Sequence, residues 1–150
     1  MTEVLFYHLT ESRLEEALPD LLQRSVDRGW RAVVQCVSDE RLEALDAVLW
    51  TFRDDSFLPH GTAGSEGAER HPILLTTRSD EASNRPDIRF MVEGATPPDL
   101  SGYQRGIYMF DASDEEQMAH ARERWKVEKA AGRNLTYWQQ TEDRRWTKKA

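Results

Sequence analysis

Two apolar runs joined by one amphipathic stretch limit what this chain can fold into. Val4 to Leu9 (VLFYHL) is an aromatic and β-branched run that predicts a central strand. Trp30 to Val37 (WRAVVQCV) is apolar almost without interruption, which predicts a strand buried on both faces. Between them Leu14, Ala17, Leu18, Leu21, Leu22 and Val26 recur at helical spacing, predicting a helix from about Ser12 to Arg28 that Gly29 stops. Thr10 or Ser12 offers a hydroxyl for its first turn, and Pro19 predicts a kink or a restart because it removes an amide and crowds the preceding turn. A second helix is expected from Ser38 to about Trp50, with Leu42, Leu45, Val48 and Leu49 inward. Strand, helix, strand, helix begins an α/β sheet, and the right-handed rule for crossovers leaves it little topological freedom.

The pattern then changes. Arg53 to Arg70 is polar and Gly-rich and is expected to be an ordered loop, with Phe57, Leu58 and Pro59 as an apolar knuckle. His71 to Thr76, Ile88 to Glu93 and Gln104 to Phe110 read as further strands. Asp111 and Ser113 are expected to cap a third helix, with Asp114, Glu115 and Glu116 in its first turn against the macrodipole and Gly132 at its end. Leu135 to Gln140 reads as extended or as a short strand. Thr141 to Ala150 reads as a polar tail that frays, with Trp146 unusual in such a place. The expected organisation is one domain over residues 1–140 and a tail over 141–150.

One hundred and fifty residues suffice for a substantial core without disulfides or metal. The net charge of −7 is unevenly placed: residues 1–119 carry eleven Lys/Arg against twenty-three Asp/Glu, while 120–150 carry nine against four. An acidic body is poorly suited to non-specific duplex binding, so an anionic partner is expected at the basic end. Cys36 is the only cysteine, which rules out an intrachain disulfide and a Cys-rich zinc site and fits a reducing cytoplasm. No basic segment leads into a long apolar run and no stretch of about eighteen apolar residues occurs, so neither secretion nor a membrane span is expected.

Catalytic signatures are sparse. Gly61, Gly64 and Gly67 form GTAGSEG, which lacks the GK[ST] ending of a phosphate-binding loop, and no GxGxxG follows the first strand. Asp87 and Glu93 resemble the carboxylate pair of a metal-dependent nuclease, without the lysine that would assist the attacking water. The four histidines, His8, His60, His71 and His120, have no short metal-binding spacing. No catalytic set, metal site or cofactor is expected. A nucleotide- or metal-dependent hydrolase or nuclease stands as the alternative in the enzyme class.

The segment from His120 to Gln140 is where charge, aromatics and spacing coincide. Arg122, Trp125, Lys126 and Lys129 fall at i, i+3, i+4 and i+7, on one helix face. Cations around an indole suit an anionic, partly aromatic ligand. The same spacing also fits a half-buried tryptophan beside solvated bases, and residues alone leave both readings open. Direct binding of single-stranded DNA through this helix and Trp138 is a further alternative.

These residues also carry a resemblance. VLFYHL at the start, LDAVLW followed by SFLPH and GTAG, and ARERWK followed by AAGRNLTYWQQ together resemble the χ (chi) subunit family of bacterial DNA polymerase III. The resemblance implies a single-domain, three-layer Rossmann-like sandwich with a mostly parallel sheet and no nucleotide-binding fingerprint. It implies a cytoplasmic, non-catalytic replication subunit that links the clamp loader to the acidic C-terminal tail of single-stranded DNA-binding protein, which ends in Pro-Phe. DNA itself is then met indirectly, through the holoenzyme at the nucleoid. Arg122, Trp125 and Lys126 match the family's tail-binding set, with Lys129 nearby; the family often has tyrosine in place of Trp125 and arginine near Lys129. Trp50, Phe57 and Pro59 match the aromatic block associated with the small ψ (psi) subunit.

Overall fold

The structure, a computed structural model, describes residues 2–51 and 58–150. Its strands are β1 (Glu3–Leu9), β2 (Ala32–Gln35), β3 (His60–Thr62), β4 (Ile73–Thr76), β5 (Ile88–Val92), β6 (Arg105–Asp111), β7 (Asn134–Gln140) and β8 (Trp146–Lys148). Its helices are α1 (Leu14–Asp27), α2 (Asp39–Thr51) and α3 (Glu115–Ala130). The strands form one sheet in the order β3-β4-β2-β5-β6-β1-β7-β8, parallel throughout except for the antiparallel pair β7–β8. This is the open, mostly parallel α/β sheet expected from the sequence, flanked by helices.

Side chains alternate across the pleat, so each central strand feeds two cores. Leu5, Tyr7, Leu9, Val34, Phe90, Ile107 and Met109 meet the buried stripes of α1 and α2 on one face. Val4, Phe6, Met91, Tyr108 and Phe110 meet α3 on the other. Pro19 lies inside α1 without ending it, at a buried position of the inner stripe. The lost amide leaves the Glu15 carbonyl without its helical partner, and burial of Leu18, Leu21 and Leu22 around the ring outweighs that loss.

The capping expectations need correction. Arg13 is the N-cap of α1, and the Glu16 carboxylate accepts its backbone N–H at 3.2 Å. Thr10 and Ser12 instead tie the β1–α1 loop to the end of β7, since the Thr10 hydroxyl donates to the Gln140 carbonyl and the Gln140 amide donates to Ser12 Oγ. The cap of α3 is Asp114, whose carboxylate accepts the N–H groups of Glu116 and Gln117 at 3.0 and 3.1 Å. Gly132, at φ +79°, takes the left-handed turn after that helix, where a side chain would be strained.

Two strands differ from the sequence expectation. His60–Thr62 lies in the region expected to be loop, yet it forms the edge strand β3 beside β4. The polar end is ordered too: Trp146–Lys148 pairs with β7, and Trp146 packs against the core with its ring 4.8 Å from Tyr7. The β7–β8 turn places Arg144 in the left-handed region at φ +66°, a conformation usually signalled by Gly or Asn and here taken by neither.

Among the described residues α3 is the one α-helix on the second face, packed on β6, β1 and β7, so β2 and β5 need another lid there. The segments around 78–81 and 94–103 supply it, and Arg89 joins them. Arg89 is fully buried; its guanidinium donates to the carbonyls of Arg78 and Glu81, to Gln35 Oε1 and to the Tyr103 hydroxyl.

Candidate peptide-binding face of the third helix

Along α3 the inner stripe is Met118, Ala121, Trp125 and Glu128, packed on β6, β1 and β7. One position further round, Arg122, Lys126 and Lys129 are all exposed. No carboxylate among the described residues pairs with any of these three. The RERWK motif therefore divides its cations. Arg124 turns inward, donating to the Tyr108 hydroxyl at 2.9 Å and pairing with buried Glu128 at 3.4 Å, while Arg122 and Lys126 stay free for solvent or a ligand.

Trp125 is half-buried, between the two readings that the sequence left open. Its ring meets Phe6 edge-on at 5.1 Å and Tyr137 at 5.9 Å. Phe6 and Tyr137 are register partners on neighbouring parallel strands, so the sheet itself fixes the indole. Tyr137 continues the cluster to His8, with Oη and Nδ1 2.9 Å apart, and to Phe110 at 6.0 Å. Glu128 anchors the far end of the helix, bonded by Tyr108 Oη at 2.8 Å and paired with Arg133 at 3.5 Å. The outcome is a ring wall held from behind and flanked by three unneutralised cations. Such a face can take up carboxylates beside an apolar group. Tyr137, Phe6 and His8 were missed in the sequence; the alternation of Leu135, Tyr137 and Gln139 opposite β1 was the signal available for them.

Burial lowers the basicity of His8, opposed in part by Asp111, and burial with the Arg124 charge lowers that of His120. Both imidazoles are therefore more easily deprotonated in the fold than in the open chain. Their contribution to stability is present above the ordinary histidine value of about 6.5 and is lost as pH falls through the lower folded value. The urea midpoint is expected to drop between about pH 7.5 and about pH 5.5, and His8→Phe, which keeps a ring against Phe110, should shrink that drop. An unchanged midpoint in the native chain would contradict this reading.

The other candidates lie elsewhere. Trp50, 54 % exposed near the end of α2, places its ring 4.4 Å from the imidazole of His60, which lies 3.0 Å from the Asp46 carboxylate. Core packing does not account for such exposure. Pro59 is half-buried next to fully buried Leu58, and Phe57 lies outside the described residues. Asp87 and Glu93 sit at opposite ends of β5, roughly 20 Å apart at strand rise, so they cannot share an ion. Asp87 accepts the Arg31 N–H at 2.9 Å, and Glu93 pairs with Arg41 at 2.8 Å. Among the described residues no group of three or more His, Cys, Asp or Glu is placed to hold a metal. GTAGSEG runs through β3 and two left-handed glycines into a three-residue 3-10 turn, not into the helix start that a phosphate needs. At Gly61 a Cβ would lie 2.4 Å from the His71 ring, so this glycine answers to packing.

The sequence model of the family described as "DNA polymerase III chi subunit, HolC" matches residues 1–136. The chain belongs to that family. It is 24% identical to the DNA polymerase III subunit chi of Escherichia coli over 124 residues, 83% of this chain and 84% of that protein. To the subunit of the same name from Haemophilus influenzae it is 27% identical over 134 residues, 87% of this chain and 92% of the other. The chi family thus gives the chain a place in DNA replication as an accessory subunit of DNA polymerase III. No helix among the described residues is long and apolar enough to cross a membrane.

Proposed function

We propose that this chi-family chain is a non-catalytic cytoplasmic adaptor that links the clamp-loader complex to the acidic C-terminal tail of single-stranded DNA-binding protein. The observation that carries this reading is the set of unneutralised cations, Arg122, Lys126 and Lys129, beside a ring fixed by Phe6 and Tyr137. The cations take the tail's carboxylates and its terminal carboxyl group, and the half-buried indole of Trp125 receives the phenylalanine. The Trp50 and Pro59 surface is assigned to a clamp-loader partner, psi where the host has one. That surface lies on the α1–α2 face, whereas α3 covers the other. The two helices overlie strands at least three spacings apart, roughly 15 Å, so both partners fit at once.

A short disordered peptide loses entropy on ordering, so the affinity is expected to be about micromolar and to weaken as salt is added. Titration with a fluorescent tail peptide, alongside a copy lacking its terminal phenylalanine, tests this. Saturable binding of the intact peptide alone is the expected result; equal binding of both copies would remove the role given to Trp125.

A further inference from the structure

The family match ends at residue 136, and the hairpin beyond it contains Arg-Arg-Trp-Thr-Lys-Lys over 144–149, four cations around one tryptophan that the adaptor role leaves unused. In the β7–β8 register Trp138 opposes Lys148 and Gln140 opposes Trp146. Cross-strand partners share a face, so both indoles and Lys148 lie on the α1 side of the sheet, away from α3. Trp138 stacks on Tyr7 at 6.3 Å and Trp146 meets it edge-on at 4.8 Å. Between these rings and α1 lies a cavity of about 630 Å³, with Arg24 on its helix wall and Arg144 and Arg145 at the hairpin turn.

Glu16 and Asp20 also line it, but Glu16 is paired with Arg144 at 3.1 Å. Among the described residues Arg24 and Lys148 have no carboxylate partner, and Lys149, opposite Tyr137, falls on the α3 side of the sheet. The cations therefore outnumber the acids around two aromatic rings.

We propose that this groove binds single-stranded nucleic acid, with bases against Trp138 and Trp146 and phosphates along Arg24, Arg145 and Lys148. Stacking on aromatic platforms flanked by cations is the general means by which such strands are held without sequence preference. An acidic peptide is the less suited occupant. Adding itself to the sheet would require the outer edge of β8, which is three residues long and offers too few backbone groups to hold another strand. The acidic body confines a phosphate chain to this basic end.

The test is a titration of the full chain with a labelled oligothymidylate of about 12 nucleotides at low salt, read by anisotropy and by quenching of tryptophan emission. Saturable binding is expected. Arg145→Ala/Lys148→Ala should weaken it about tenfold and reduce the salt slope by roughly 1.4, since each phosphate contact on a single strand adds about 0.7. Arg122→Ala/Lys126→Ala should leave oligonucleotide binding within about twofold while impairing tail-peptide binding, which separates this groove from the α3 face. Absence of saturable binding would overturn the proposal. So would loss of binding through the α3 pair with the Arg145/Lys148 pair silent, or capture of an acidic peptide by this hairpin in place of the oligonucleotide.

Discussion

Replacing Arg89 by alanine is expected to lower the unfolding free energy by about 4 kcal/mol, the largest single-residue effect foreseen for this fold. Arg89 sits in β5, where a parallel α/β sheet ordinarily places an aliphatic side chain under a helix. Among the described residues no α-helix covers that part of the face. Loops lie over it, and loops bring carbonyl groups with them. The guanidinium satisfies the carbonyls of Arg78 and Glu81 together with Gln35 and Tyr103, while its stem fills the space beneath. Alanine would leave buried acceptors unmatched and a cavity behind, two penalties that add. Lysine would restore the charge but not the fork, so Arg89→Lys should recover only a minor part. Urea unfolding with linear extrapolation measures the difference, and the melting temperature should fall by roughly 8 to 16 °C. A loss below about 1 kcal/mol would mean that the loops are held by something other than this side chain.

Arg89 also marks where the sequence ceased to be informative. The strands of the sheet centre were legible because they are buried on both faces and read as apolar runs, and the helices because their stripes repeat at helical spacing. An arginine inside IRFMV carries no local sign of being a hub, since the carbonyls it bonds lie in segments up to eleven residues away whose path only the fold defines. The edge strands were hidden for a different reason. His60–Thr62 and Trp146–Lys148 have three residues each, too few for a period to show. Trp146 was the one sign that the last segment packs, because a large ring in a polar tail has to meet something apolar. The candidate face divided in the same way. Spacing alone placed Arg122, Trp125 and Lys126 together, but it could not say that Arg124 turns inward, because that follows from Tyr108 and Glu128 across the layer.

The second large effect concerns binding. Arg122→Ala/Lys126→Ala is expected to weaken the tail peptide about 30-fold, on the basis of about 1 kcal/mol for each exposed charge-assisted contact. Both side chains are exposed and neither pairs with a carboxylate among the described residues, so the unfolding free energy should stay within about 0.5 kcal/mol of the native value. Isothermal titration with the native peptide measures the first quantity and urea unfolding the second. Raising the salt should narrow the gap between native and variant chains, because screening removes what the substitution removes. Arg124→Ala differs in kind. It leaves Tyr108 and buried Glu128 with fewer partners, so stability should fall first and binding only as a consequence.

The measurement that bears most directly on the adaptor reading is a map of amide shifts in the isotope-labelled domain as the tail peptide is added. The largest shifts are expected at Arg122, Trp125, Lys126 and Lys129 on α3 and at Tyr137 on β7, with Trp50 and the 144–149 hairpin unmoved. Shifts centred on Trp50 or on that hairpin, with α3 silent, would contradict the assignment of the tail to the third helix.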